Sequence, residues 1–245
     1  MAGGGIRVSL IDVARGLALI AMAVFHFCWD MEMFGLVEPG FMAQPIMIWS
    51  GRAIASSFLF LAGVSLFLAH GGKINLPAFM RRWAMVAGAA ALITLATWFA
   101  TPDAFIFFGI LHHIALASIL GLAFLRFPVL VTAAAGLFIV TMRSTLQTPA
   151  LDAPWFWWSG LSQFIPRSND YVPLFPFFGM VLLGVAASKA ASGAGMMERL
   201  GRWRPTGPLS RLLIFFGRHS LAFYLLHQPI MIGLLYAVLW LSGYI

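Results

Sequence analysis

Ten residues separate Arg15 from His26 along RVSLIDVARGLALIAMAVFHFCWD, an apolar stretch that also holds Asp12 and ends on Asp30. A charge at the centre of a membrane helix costs about 2.5–3.5 kcal/mol on insertion scales, so an acid, a guanidinium and an imidazole in one such stretch mark a site. On a helix, Asp12 and Arg15 stand at i and i+3 and can neutralise each other, either as a structural ion pair or as part of that site. His26 follows Arg15 by eleven positions, roughly 16 Å along the axis at 1.5 Å per residue. Asp30 stands at i+4 from His26, where a carboxylate can accept from one imidazole nitrogen and leave the other as a base.

The same chemistry recurs in other apolar segments: Arg52, then His112 and His113 in FFGILHHIALAS, then His227 and Gln228 in GRHSLAFYLLHQPI. Ionisable residues in membrane spans face the bundle interior and find partners there. His26, Asp30, Arg52, one of His112 or His113, and His227 with Gln228 are therefore expected to line one cavity. His112 and His113 point about 100° apart on a helix, so only one can face it, and the pattern does not choose between them. His70 and His219, at segment ends, read as packing residues.

The elements that position these groups follow from composition. With 61% hydrophobic and 9% charged residues, the chain falls among polytopic membrane proteins. Cys28, the single cysteine, excludes an intrachain disulfide, and no paired-cysteine metal motif is present, so no metal is expected. The net charge of +7 is better explained by membrane topology than by nucleic acid. The start, MAGGGIR, lacks a small-residue processing site, so the first apolar segment is expected to stay.

The pattern predicts an all-α, polytopic transmembrane bundle forming one domain over 1–245. About seven helices are expected, at 8–29, 46–69, 82–100, 106–125, 127–143, 173–189 and 211–242. The fourth and fifth require a tight turn after Arg126. The seventh contains Gly217, Arg218 and His219 and is expected to begin with an interfacial piece, with Pro229 as a kink position. In this scheme Arg7, Lys73, Arg81, Arg82, Arg126, Lys189, Arg199, Arg202, Arg204 and Arg211 share one side, against Arg143 and Arg167 on the other. The basic side is cytoplasmic, which places the N-terminus inside. The Trp-rich loop PWFWWSGLSQFIPRSNDYVP reads as a re-entrant or interfacial segment, or as a plain aromatic belt anchor. Gly63 reads as a close-packing position.

Four segments in order resemble the transmembrane acyltransferase superfamily. RVSLIDVARGLALIAMAVFHF has the Arg-x10-His of its acyltransferase-three branch, and IASSFLFLAGVSLFLA is similar to the second-helix pattern. FFGILHHIALAS and GRHSLAFYLLHQPI are similar to the Gly-Ile-Leu segment and the final helix of bacterial members related to heparan-α-glucosaminide N-acetyltransferase. The chain has MFGLVEPGF where lysosomal members have His-Ala-Ser-Trp, and no counterpart of their luminal domain is expected.

The resemblance implies transfer of an acyl group, usually acetyl, from acetyl-coenzyme A inside to a sugar hydroxyl or amine outside or at the membrane. The location it implies is a bacterial inner membrane; self-association into a homo-oligomer is left open. It maps the family's helix-one Arg and His onto Arg15 and His26. Arg15, Arg218, Arg81 and Arg82 would then attract the coenzyme A phosphates. His26, oriented by Asp30, would act as general base or acyl carrier, Arg52 or His113 would stabilise the oxyanion, and His112, His227 and Gln228 would contact the acceptor. A proton-coupled transporter is the alternative, because His, Asp and Arg chains also make proton relays. A haem protein built on His26, His112, His113 and His227 is a third reading.

Overall fold

The computed structural model describes residues 8–203 and 205–244; Arg7 and Arg204 of the basic side lie outside the described residues. Among the described residues the chain is helical, with no strand, and is a helical membrane bundle. The helices are α1 (Ser9–Met33), α2 (Pro45–His70), α3 (Leu76–Ala100), α4 (Ile110–Phe124), α5 (Val129–Thr141), α6 (Arg143–Leu146), α7 (Leu174–Gly193), α8 (Met196–Arg202), α9 (Pro208–Arg218) and α10 (Ser220–Leu241). Five of them, α1, α2, α3, α7 and α10, are long and apolar enough to cross a membrane, and α4 and α5 are shorter apolar helices.

Two boundaries differ from expectation for identifiable reasons. α3 begins at Leu76 rather than near residue 82, because Asn75 Oδ1 accepts from the Ala78 N–H at 3.2 Å and proline occupies the first turn. Arg81 and Arg82 therefore sit inside the helix, exposed, rather than in a loop. The last long helix divides at His219, whose backbone (φ −103, ψ 28) leaves the helical range between α9 and α10. α10 continues through Pro229.

The described residues form two compact units, one holding residues 55–202 and the other residues 9–54, 203 and 205–244. In the first unit, glycines let backbones touch. A Cβ on Gly63 of α2 would meet the Val181 carbonyl at 2.0 Å, one on Gly184 the Phe60 carbonyl at 2.1 Å, and one on Gly179 of α7 the Gly136 carbonyl of α5 at 2.5 Å. In lipid there is no water to expel between helices, so association depends on such close approach. Gly63 is thus a packing glycine, as its sequence context indicates.

The tight α4–α5 turn is held by one side chain. Lys189 Nζ of α7 donates to the Phe124 and Phe127 carbonyls, both at 2.6 Å, and to Thr132 Oγ1 at 3.3 Å. The Phe124 carbonyl ends α4, where the Phe127 N–H also reaches it at 3.3 Å, and the Phe127 carbonyl lies in the turn, where Lys189 supplies a donor that scarce water would not. The ammonium also complements the negative end of the α4 dipole.

In the second unit, α9 crosses α1 by the same device. A Cβ on Gly16 would lie 2.2 Å from the Leu213 carbonyl, and one on Gly217 only 1.9 Å from the Asp12 carbonyl. α2 joins through Gly51, whose position would bring a Cβ within 3.0 Å of the Phe25 ring.

Gly63→Val or Gly179→Val should destabilise the purified protein by about 1–3 kcal/mol through overpacking. Gly88→Ala, where nothing lies within 4 Å, should raise the thermal midpoint slightly through helix propensity. Lys189→Met should cost about 1–3 kcal/mol, chiefly for the Phe127 carbonyl it abandons. Unfolding midpoints in one detergent check all three, and a Gly63→Val protein as stable as the parent would contradict the packing account.

Candidate functional site

The second unit brings four of the singled-out polar residues into two rungs between α1 and α10. In the inner rung, His26 Nδ1 and His227 Nε2 are 2.7 Å apart. The rings are near coplanar at 25° with centroids 4.9 Å apart, the arrangement of an in-plane N–H···N bond. His227 Nδ1 stands 2.7 Å from the Tyr224 carbonyl, which can only accept.

The direction of every proton in a neutral pair follows. His227 Nδ1–H donates to Tyr224, so His227 Nε2 carries a lone pair and must accept from His26 Nδ1–H. The lone pair of His26 is thereby assigned to Nε2, which has no hydrogen-bond partner among the described residues. His227 is buried and lies parallel to the Phe223 ring at 8°, while Phe25 flanks His26 at 5.9 Å.

The outer rung pairs Asp30 with Gln228, whose Nε2 donates to Asp30 Oδ1 at 2.5 Å. Asp30 is fully buried, and its Oδ2 and the Gln228 Oε1 have no hydrogen-bond partner. The i, i+4 spacing of His26 and Asp30 thus does not become a hydrogen bond: the imidazole that orients His26 comes from α10, and Asp30 turns to the amide instead. Histidine and glutamine adjacent on α10 meet histidine and aspartate one turn apart on α1.

At the start of α1, Asp12 collects two guanidiniums. Arg15 Nη1 lies 3.3 Å from Oδ1 and Arg218 Nε lies 3.6 Å from Oδ2. The second contact is possible because Gly217 lets α9 down onto the Asp12 backbone. Two cations on one carboxylate leave a net positive charge at this end, with the Arg218 side chain 45% exposed, a suitable place for an anionic group. Arg52 stacks over the Trp49 ring at 5.1 Å, a cation–π contact within α2.

The remaining candidates belong to the first unit. His112 is occupied at both nitrogens: Nδ1 accepts from the Gly109 N–H at 3.2 Å, capping α4, and Nε2 meets Thr94 Oγ1 at 3.0 Å. Thr94 spends its own proton on the Ile106 carbonyl at 2.7 Å, so His112 donates to it. Its geometry is that of a helix-start fastener. His113 is wholly buried, with Nδ1 3.0 Å from the Val172 carbonyl and Nε2 without a partner.

The Trp-rich loop is folded onto itself and onto the α4 start. Asp152 Oδ1 accepts from Ser162 Oγ and the Gln163 N–H, Trp157 Nε1 donates to the Asp152 carbonyl, and Asp170 Oδ2 accepts from the Ile110 N–H. Tyr171 donates to the Trp157 carbonyl at 2.6 Å; burial pushes its phenol up to about 12, against the pull of Arg143. It stays a donor at any physiological pH.

Two features escaped the sequence reading. The His26–His227 bond joins residues 201 positions apart, and spacing within α1 pointed to Asp30. The Arg218–Asp12 contact was announced only by Gly217, the small residue beside it.

These contacts define a helical membrane protein with a hydrogen-bonded imidazole pair between two long apolar helices and two guanidiniums on one carboxylate at the start of α1. The chain belongs to the family of the heparan-alpha-glucosaminide N-acetyltransferase catalytic region, whose model matches residues 7–229. That membership makes it a membrane acetyltransferase in general. Comparison with curated proteins and with solved structures gives no match.

His112→Leu abandons the Gly109 N–H and the Thr94 hydroxyl and should cost about 1–3 kcal/mol, whereas Tyr171→Phe gives up one loop bond and should cost about 1 kcal/mol. Thermal midpoints of the two variants, measured against the parent, order the effects; the reverse order would remove His112 from its capping role.

Proposed function

We propose that this protein moves an acetyl group from acetyl-coenzyme A to a hydroxyl or amine of a sugar-type acceptor, with His26 as the general base. The observation that carries the proposal is the one-way hydrogen-bond chain from His26 Nδ1 through His227 to the Tyr224 carbonyl, which leaves His26 Nε2 as an unpartnered base inside an acetyltransferase-family chain.

The step runs as follows. The acceptor oxygen or nitrogen forms its bond to the thioester carbonyl carbon as His26 Nε2 takes its proton. The C–S bond then breaks, and the sulfur leaves with the proton returned by the imidazolium. His227 accepts from Nδ1–H throughout, which holds the tautomer and favours the imidazolium by charge-assisted bonding. Arg52 belongs to the turn beside Phe25 and His26, through Gly51, and is assigned to the developing oxyanion. Arg15 and Arg218 bind the coenzyme A phosphates at the cytoplasmic end, roughly 16 Å of helix from the base, a span the pantetheine arm bridges.

Coenzyme A release from acetyl-coenzyme A in the presence of sugar acceptors tests the reading on the full chain in nanodiscs. His26→Ala should lower kcat by about 10²–10⁴-fold. His227→Gln, whose Oε1 can take the same N–H, should retain more activity than His227→Phe. Arg15→Gln and Arg218→Gln should raise KM for acetyl-coenzyme A with little change in kcat, the mark of lost ground-state binding. Full activity in His26→Ala, with expression unchanged, would remove the base from the mechanism.

A further inference from the structure

One turn outward from the base, the outer rung is incomplete. Asp30 and Gln228 satisfy each other once, through Oδ1 and Nε2, and both remaining oxygens are buried acceptors without donors. Because the carboxylate and the amide are bonded to each other, both oxygens belong to one polar pair between α1 and α10. A buried acceptor stripped of water and given no donor loses free energy that a bound donor returns.

Position relates this pair to the chemistry. Asp30 follows His26 by four residues, about 6 Å along α1, and Gln228 adjoins His227 on α10. Beginning five residues after Asp30, the chain from Gly35 to Pro39, with Phe41 and Gln44, lines an open surface pocket.

We infer that Asp30 and Gln228 form an acceptor-reading subsite, selecting a substrate whose acylated hydroxyl or amine has a second hydrogen-bond donor on the neighbouring carbon. This rests on the acyl-transfer reading for the identity of the acylated atom. The substrate class is a vicinal diol or amino alcohol, as a sugar ring presents. The nucleophilic atom lies against His26 Nε2, and the adjacent donor lies between Asp30 Oδ2 and Gln228 Oε1. A carboxyl held protonated and closed in a ring with the Gln228 amide would need no ligand, and is the state the test must separate from this one.

The full chain in nanodiscs is supplied with acetyl-coenzyme A and matched acceptors: cyclohexylamine against trans-2-aminocyclohexanol, and cyclohexanol against trans-1,2-cyclohexanediol. The quantity read is the ratio of kcat/KM for the vicinal compound to that for its monofunctional partner. The parent should favour the vicinal compounds by about ten- to a hundredfold, the worth of a hydrogen bond to a charged group. Asp30→Asn and Gln228→Met should each bring the ratio to within about threefold of unity. A second arm reads binding alone, as the rise in thermal midpoint with saturating glucosamine and no donor; it should occur in the parent and vanish in both variants.

A parent that transfers acetyl with no vicinal preference, or variants that keep it, overturns the subsite and leaves the acyl transfer standing. If no acceptor releases coenzyme A, the transfer reading falls and the glucosamine arm decides. Stabilisation of the parent but not of Asp30→Asn upholds the subsite, and equal response or none overturns it.

Discussion

The hydrogen bond between His26 and His227 is the interaction on which the proposed chemistry depends. An imidazole has two nitrogens, and in a span starved of water both need a partner or a purpose. Tyr224 fixes the proton on one nitrogen of His227, which fixes the other as an acceptor, which fixes the proton on His26 Nδ1. A backbone carbonyl on α10 therefore determines where the lone pair of an α1 residue stands. The same two helices repeat the cross-link one turn out with an acid and an amide, and there the bonding stops short of completion. The polar interface is thus graded, from closed at Tyr224 to unsatisfied at Asp30.

Close backbone approach sets the distances at the α1–α9 crossing, and there the touching is done by glycine. Gly217 seats α9 on the Asp12 backbone, and the next residue, Arg218, reaches the Asp12 carboxylate. Gly16 meets Leu213 on the same crossing. The first unit uses Gly63, Gly136, Gly179 and Gly184 similarly, with no ionic group at the crossing but with Lys189 closing the adjacent turn. Small residues and ionisable residues are therefore two parts of one design: the first sets the distance, the second uses it.

Much of this was legible in the sequence, and the limits have physical causes. Apolar length and helical periodicity are local properties, so α1, α2 and α7 fall close to their expected bounds. Capping is local too, but Asn75 and Pro77 lie among loop-type residues and outran a hydropathy reading of α3. The pairing of His26 was not legible because an i, i+4 neighbour competes on paper with every histidine elsewhere in the chain. Only the rotation of α10 about its axis decides that His227 meets His26 while Gln228 takes Asp30. His112 and His113 could not be separated from sequence either. Their bonds show one as a cap occupied at both nitrogens and the other anchored to Val172 with one nitrogen spare.

The break at His219 gives α9 and α10 separate directions that a continuous helix would lack. A straight α9–α10 helix would carry Arg218 and His227 on one rigid axis, and the placement of one would dictate that of the other. With helical geometry interrupted at His219 (φ −103, ψ 28), α9 is free to settle onto Gly16 and Asp12 while α10 turns His227 and Gln228 toward His26 and Asp30. The non-helical residue is itself tied down, with His219 Nδ1 2.9 Å from the Phe215 carbonyl, so the interruption is a fixed corner. Separate placement matters to the proposed reaction, in which the charge for an anionic donor and the base for an uncharged acceptor stand at different depths: one at the polar start of α1, where a guanidinium is cheap to hydrate, the other inside the span, where a neutral imidazole is the base lipid tolerates at low cost.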